Sequence, residues 1–222
     1  MVTVHVVSHD DAPERLVNMW ADADRLGLDL RREGVSAPSG DADDAADLEA
    51  HASCWRHLIE GRAGFAAIVH DDVMLEDGLR ALLHENVLKA VMPERGVMVL
   101  DALDIGDGED AEPRVHRLAR VPSRPSAYII SRETAADALG VREQGAGSVQ
   151  AVLSLSTPRR GELLAVVPSV VSKDDAADGA STRLVDRTRK AMRRVAQRLG
   201  DRSEGVRLPQ PSKEEAKSAV SA

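Results

Sequence analysis

Aromatic side chains are scarce in this 222-residue chain: Trp20, Trp55, Phe65 and Tyr128 are the whole set, 2% of the residues, although 43% are hydrophobic. The core must therefore be aliphatic, and recognition by stacking exposed bases or sugars on rings is disfavoured. A single cysteine, Cys54, excludes an internal disulfide and a multi-cysteine zinc site, and it points to a reducing cytoplasm. No run of about 18 apolar residues appears. The opening MVTVHVVSHDD lacks a basic region followed by an apolar segment, so the chain reads as soluble and unexported. Basic charge is also in deficit: 29 Lys and Arg against 37 Asp and Glu leave a net charge of −8, which argues against a general nucleic-acid binder.

The length suits one α/β domain with an appendage. Residues Val2 to Val7 read as a strand, and Pro13 to Leu26 as an amphipathic helix closed by Gly27. Leu28 to Leu30 suits a short second strand, and the Gly, Ser, Pro, Ala and Asp composition between Arg31 and Asp47 reads as a loop. A helix is predicted over Leu48 to Glu60, a buried strand from Phe65, a helix over Gly78 to Val91 and a strand over Gly96 to Asp101. An acidic loop follows over Asp104 to Pro113. Val115 to Val121 reads as extended, Ala127 to Ile130 as a strand, Arg132 to Leu139 as a helix, and Val149 to Leu155 and Leu163 to Val167 as strands. Such alternation indicates an α/β sheet of largely parallel strands.

The character changes after Ser181. Residues 183–199 carry seven Arg or Lys and one Asp, a local charge of +6, with Val185, Thr188, Met192, Val195 and Leu199 on one helical face. The expected division is a catalytic domain over 1–182, a basic amphipathic helix over 183–199 and a disordered tail over 200–222. That helix suits a solvated or subunit-packing role that would support a homo-oligomer; contact with an anionic membrane or nucleic acid is the sharper reading.

Chemistry concentrates at Val69-His70-Asp71-Asp72-Val73, where two carboxylates interrupt an apolar run at a strand end. Strand ends are where α/β proteins bind ligands, and Mg²⁺ or Mn²⁺ bridges such carboxylates to diphosphate oxygens. A surface turn is the plain alternative. Asp101, at the end of its own strand, is a candidate general base or sugar contact, or an ordinary strand-end cap. Ser8 and His9 equally suit a helix cap.

The order of segments resembles glycosyltransferase family 25, whose signature is an apolar strand followed by Glu-Asp-Asp. Pro13-Glu14-Arg15 with Leu26-Gly27-Leu28, then Ala50-His51-Ala52-Ser53-Cys54-Trp55, Ser126-Ala127-Tyr128-Ile129-Ile130-Ser131 and Val167-Pro168-Ser169-Val170-Val171 match further family segments in order. His70 stands where the family has an acid, the glycine usual before the Tyr block is missing, and so is the acid expected near Gly145 to Gln150.

The resemblance implies a GT-A type fold, a Rossmann-like mixed sheet flanked by helices, and transfer of a sugar, of hexosyltransferase class, from a nucleotide donor, usually UDP-linked. It implies Asp72, Asp71 and His70 as metal ligands, with His70 alternatively a nucleotide contact, Mn²⁺ or Mg²⁺ as the ion, and Asp72 as the main catalytic group. Val7, Ser8 and His9 would line the nucleotide pocket together with His51, and Ser169, Lys173 and Asp174 would close it, with Lys173 offsetting phosphate charge. The acceptor is open: a glycan, a lipid-linked sugar, a protein or a modified nucleic acid. Two rival readings are a phosphohydrolase with Asp71 as nucleophile, and an inactive scaffold of the same type that binds a partner.

Overall fold

In the computed structural model, residues 1–9, 13–36, 44–101, 114–157, 163–167 and 169–173 are described. The basic helix expected over 183–199, the tail beyond it, the acidic loop over 104–113 and Asp174 lie outside them.

Strand β1 (Val4–His9) leads into helix α1 (Pro13–Leu26). Proline at the first helical position is preorganised for the turn and has no N–H to leave unpaired. At the other end Gly27 adopts φ +61°. Its N–H and that of Leu28 close onto the carbonyls of Asp24 and Ala23, the paired bonds that satisfy the last helical carbonyls. Met19, Ala23 and Leu26 then bury one face.

Strand β2 (Leu30–Ser36) follows, then helix α2 (Asp44–Glu60), β3 (Phe65–His70) and the short β4 (Val73–Leu75). Helices α3 (Asp77–Leu82) and α4 (Glu85–Val91) precede β5 (Val97–Val99). The remainder is β6 (Arg114–Arg117), β7 (Ala127–Ser131), α5 (Arg132–Glu143), α6 (Val149–Ser156), β8 (Leu163–Val167) and β9 (Val171–Lys173).

Seven strands form one sheet in the order β2-β1-β3-β7-β5-β8-β6, and β4 pairs with β9 in a two-stranded ribbon. The sheet is mixed, as the resemblance implied, with five of its seven strands pointing the same way: β1 runs parallel to β2 and β3, and β5 to β8, while β7 is antiparallel to β3 and β5, and β6 to β8. Helices α1 and α2 supply the crossovers that parallel pairing of β1, β2 and β3 requires. No such demand falls on β7, which inserts between β3 and β5.

The alternation of β3 divides the core. Phe65, Ala67 and Val69 face the layer holding Met19, Leu79 and Leu88 of α1, α3 and α4. Ala66 and Ile68 face Trp55, Ala135 and Val152 of α2, α5 and α6. By the same two-residue period His70 belongs on the α2 side.

Three sequence expectations need correction. Residues Val149–Ser156 are a helix, not a strand, with Val149, Val152, Leu153 and Ser156 buried at helical spacing and the Ser148 side chain accepting from Ala151 N. The single helix expected over Gly78 to Val91 is broken at Leu83 and His84, where the Leu83 carbonyl accepts from Val2 N. That tertiary bond takes an acceptor the continuing helix would need. The second strand is longer than expected and α2 starts earlier, so the loop between them shrinks from both ends.

Candidate functional site

The carboxyl ends of β1 and β3 lie side by side, because the two strands are parallel neighbours with Val7 opposite His70. From there a chain of hydrogen bonds runs along the strand ends. Asp71 N donates to Val7 O at 3.0 Å, His70 N to Ser126 O at 2.8 Å, and Ser126 N to Asp101 Oδ2 at 2.7 Å. Sequence residues far apart, Val7, His70, Asp71, Asp72 and Asp101, are thereby brought to one rim.

Asp71 and Asp72 occupy the turn between β3 and β4. Asp71 is buried, 2% exposed. Asp72 is half-buried, and its Oδ1 is a buried atom with no hydrogen-bond partner among the described residues. A buried carboxylate oxygen without a proton donor is costly, and a cation repays that cost. The donor set, two adjacent carboxylates, suits a hard ion such as Mg²⁺ or Mn²⁺.

Ser8 is buried and its hydroxyl accepts from Arg32 Nε at 2.7 Å, so a guanidinium on β2 reaches across to the end of β1. Ser169 Oγ lies within hydrogen-bonding reach of the Leu100 and Val171 carbonyls and accepts from Val171 N at 3.3 Å. It therefore ties the start of β9 to the residue before Asp101. Lys173 ends β9 opposite Val73, next in sequence to Asp72. The side chains of His9 and Lys173 lie outside the described residues.

A second group forms where α2 crosses the end of β3. His51 is fully buried; its Nδ1 lies 2.8 Å from the Tyr128 hydroxyl and its Nε2 2.9 Å from His70 Nε2. Trp55 Nε1 donates to the same Tyr128 hydroxyl at 3.0 Å. Burial, reinforced by the neighbouring His70, pushes the His51 pKa well below that of free histidine, and burial raises the Tyr128 phenol well above its usual value. Both rings are neutral near pH 7. Asp47 completes the group, with Oδ1 at 3.8 Å from both His51 Nε2 and His70 Nε2.

Asp47 is not among the sequence-derived site candidates, because composition puts it at the boundary of the loop after Arg31. The signal was present: once α2 begins at Asp44, Asp47 and His51 are four residues apart and share a helix face. Trp55 and Tyr128 are fully buried in the core, and both are tied to this cluster by side-chain hydrogen bonds.

No known protein family matches the chain in sequence, and no curated protein does. Among solved structures it is similar to a glycosyltransferase involved in the glycosylation of the major capsid of PBCV-1, at 10% identity and a TM-score of 0.49, covering 85% of this chain and 98% of that one. It is also similar to the inositol-1-phosphate CTP transferase from T. maritima, at 14% identity and 0.39, covering 91% and 77%. A third is a glucose-1-phosphate thymidylyltransferase from Bacillus anthracis, at 10% and 0.42, covering 93% and 78%. These neighbours are glycosyl- and nucleotidyltransferases, and at such distances the activity must be argued from this chain's own residues.

Proposed function

We propose that the protein is a metal-dependent glycosyltransferase, similar to family 25, that moves a sugar from a nucleotide donor, UDP-linked by preference, to an acceptor hydroxyl. The observation that carries this reading is the Asp71-Asp72 turn at the end of β3. It places a buried carboxylate oxygen without a hydrogen-bond partner among the described residues at the strand-end rim where α/β folds bind ligands. The order of the matching sequence segments supports it independently.

Sugar transfer requires a diphosphate to depart with negative charge. Asp72, with Asp71, would hold Mn²⁺ or Mg²⁺, which supplies Lewis-acid stabilisation of that charge when bound. Val7 and Ser8 border the same rim, and Arg32, held against Ser8, adds a positive group there. Ser126 N fixes one oxygen of Asp101. In this reading the Asp101 carboxylate takes the proton of the acceptor hydroxyl as the new glycosidic bond forms. Nucleophilic attack by Asp71, as a phosphohydrolase would need, is disfavoured by its burial.

The test is release of nucleoside diphosphate from a panel of nucleotide sugars with Mn²⁺, since such enzymes leak transfer to water. Release from one donor class, lost in Asp72→Asn, is expected. Absence of release and of binding for every donor would refute the proposal.

A further inference from the structure

We infer that Asp47, His51 and His70 form a separate site for a borderline-soft transition-metal ion of the Zn²⁺ class, distinct from the all-oxygen Asp71-Asp72 site. This inference does not depend on sugar transfer, because it rests on a different set of donor atoms.

Three observations converge. First, the ligand-capable atoms meet: His51 Nε2 and His70 Nε2 are 2.9 Å apart, and Asp47 Oδ1 is equidistant from both at 3.8 Å. Zn–N bonds of about 2.0–2.1 Å in a tetrahedral site put neighbouring donors roughly 3.3 Å apart, so shifts of a few tenths of an ångström complete the geometry. Second, Asp47 Oδ1 is a buried atom with no hydrogen-bond partner among the described residues, and it faces two ring nitrogens. A cation between the three satisfies it. Third, the outer support that metal-bound histidine requires is in place. With Nε2 turned to a metal, His51 must carry its proton on Nδ1, and the Tyr128 hydroxyl lies 2.8 Å from that atom as acceptor. Trp55 Nε1 holds the hydroxyl from the other side.

The donor set decides the ion. Two imidazoles and one carboxylate favour Zn²⁺, Co²⁺ or Ni²⁺ over Mg²⁺, whereas paired carboxylates favour Mg²⁺ or Mn²⁺. The cluster is open through His70 and Asp47: the His51 side chain is 1% exposed, while those of His70 and Asp47 are 15% and 30% exposed. Three protein ligands leave a fourth position for water on that open side. Bound metal would join the first turns of α2 to the last residue of β3, immediately before Asp71.

The competing account is a plain hydrogen bond between the two imidazole rings. Co²⁺ separates the two, because four-coordinate Co²⁺ bound by nitrogen absorbs strongly in the visible. The full chain, stripped with chelator, is titrated with Co²⁺ and then Zn²⁺. One equivalent of visible absorbance, displaced by one equivalent of Zn²⁺ and not by excess Mg²⁺, is expected. Asp47→Asn and His70→Gln should weaken Co²⁺ binding at least about tenfold, since even second-shell losses reach that size. Both positions are partly exposed, and melting of the metal-free variants verifies their fold. Asp72→Asn should leave the absorbance intact even if it abolishes sugar-nucleotide binding. No stoichiometric absorbance in the wild type overturns the inference. So does absorbance unchanged in Asp47→Asn and His70→Gln, or lost only in Asp72→Asn.

Discussion

The backbone N–H of Ser126 donates to Oδ2 of Asp101 at 2.7 Å, so the second residue beyond β5 and the residue before β7 are fastened by a carboxylate at the sheet rim. The same Ser126 accepts from His70 N. Asp101 thus has a structural task as well as the catalytic one proposed, and the two can be separated. Asp101→Asn keeps an oxygen for Ser126 N and should fold within about 0.5 kcal/mol of the wild type. Asp101→Ala leaves that N–H without its partner and should lose about 1–3 kcal/mol in urea unfolding. Turnover should fall in both. Full activity in Asp101→Asn would remove it as the base.

Tyr128 joins two elements through one oxygen, receiving Trp55 Nε1 and contacting His51 Nδ1. Tyr128→Phe keeps the ring and strands those buried nitrogens. A loss of about 1–3 kcal/mol is expected in equilibrium unfolding, with Trp55 fluorescence altered. A neutral outcome would mean that water replaces the hydroxyl.

Arg132 closes the far end of α2. Its guanidinium donates to the carbonyls of Ile59 at 2.7 Å, Gly61 at 2.9 Å and Ala63 at 2.5 Å. These include acceptors that a helix C-terminus leaves unpaired, and a cation there also complements the helix dipole. Arg132→Met should cost about 1–3 kcal/mol, mainly as faster unfolding. Hydrogen exchange localised to residues 59–64 would report where the loss falls.

His5 is buried against His57, with ring centroids 6.4 Å apart. Burial first, then the charges of His57 and Arg31, lowers its pKa to about 4. Between about pH 6.5 and 4 the unfolded chain takes up a proton that folded His5 does not. Stability therefore falls as pH drops through that window, by up to about 3 kcal/mol from this group, and no further below it. His51 is shifted in the same direction, so the wild-type curve alone does not isolate His5. His5→Gln should show a shallower decline between pH 6.5 and 4, measured by urea midpoints; identical slopes would assign the effect elsewhere.

Much of the frame was legible because its signals are local. Proline and glycine bracket α1, and β3 and β7 are short apolar runs. The misread segment is instructive: Val149 to Leu155 is as apolar as a buried strand, yet Ser148 caps it and its buried positions follow helical spacing. The break between α3 and α4 has no local signal, since a bond from Val2 sets it. At the site, the sequence pointed to the rim carboxylates through their position. Asp47 was hidden because its role depends on where α2 begins, and the meeting of His51 with His70 depends on how α2 lies across β3.

The carboxylate turn remains the centre of the account, and the direct measurement is the melting temperature of wild type and Asp72→Asn with Mn²⁺ and a panel of nucleotide sugars. A ligand at a hundred times its Kd stabilises the folded state by about 2.7 kcal/mol, which is roughly 5–10 °C for a domain of this size. A shift of that order is predicted for wild type with a UDP-sugar and Mn²⁺ together, and not with either alone. Asp72→Asn, melting normally without ligand, should show none. An equal shift in both proteins, or none in wild type with any donor, would contradict a nucleotide-sugar site built on Asp72.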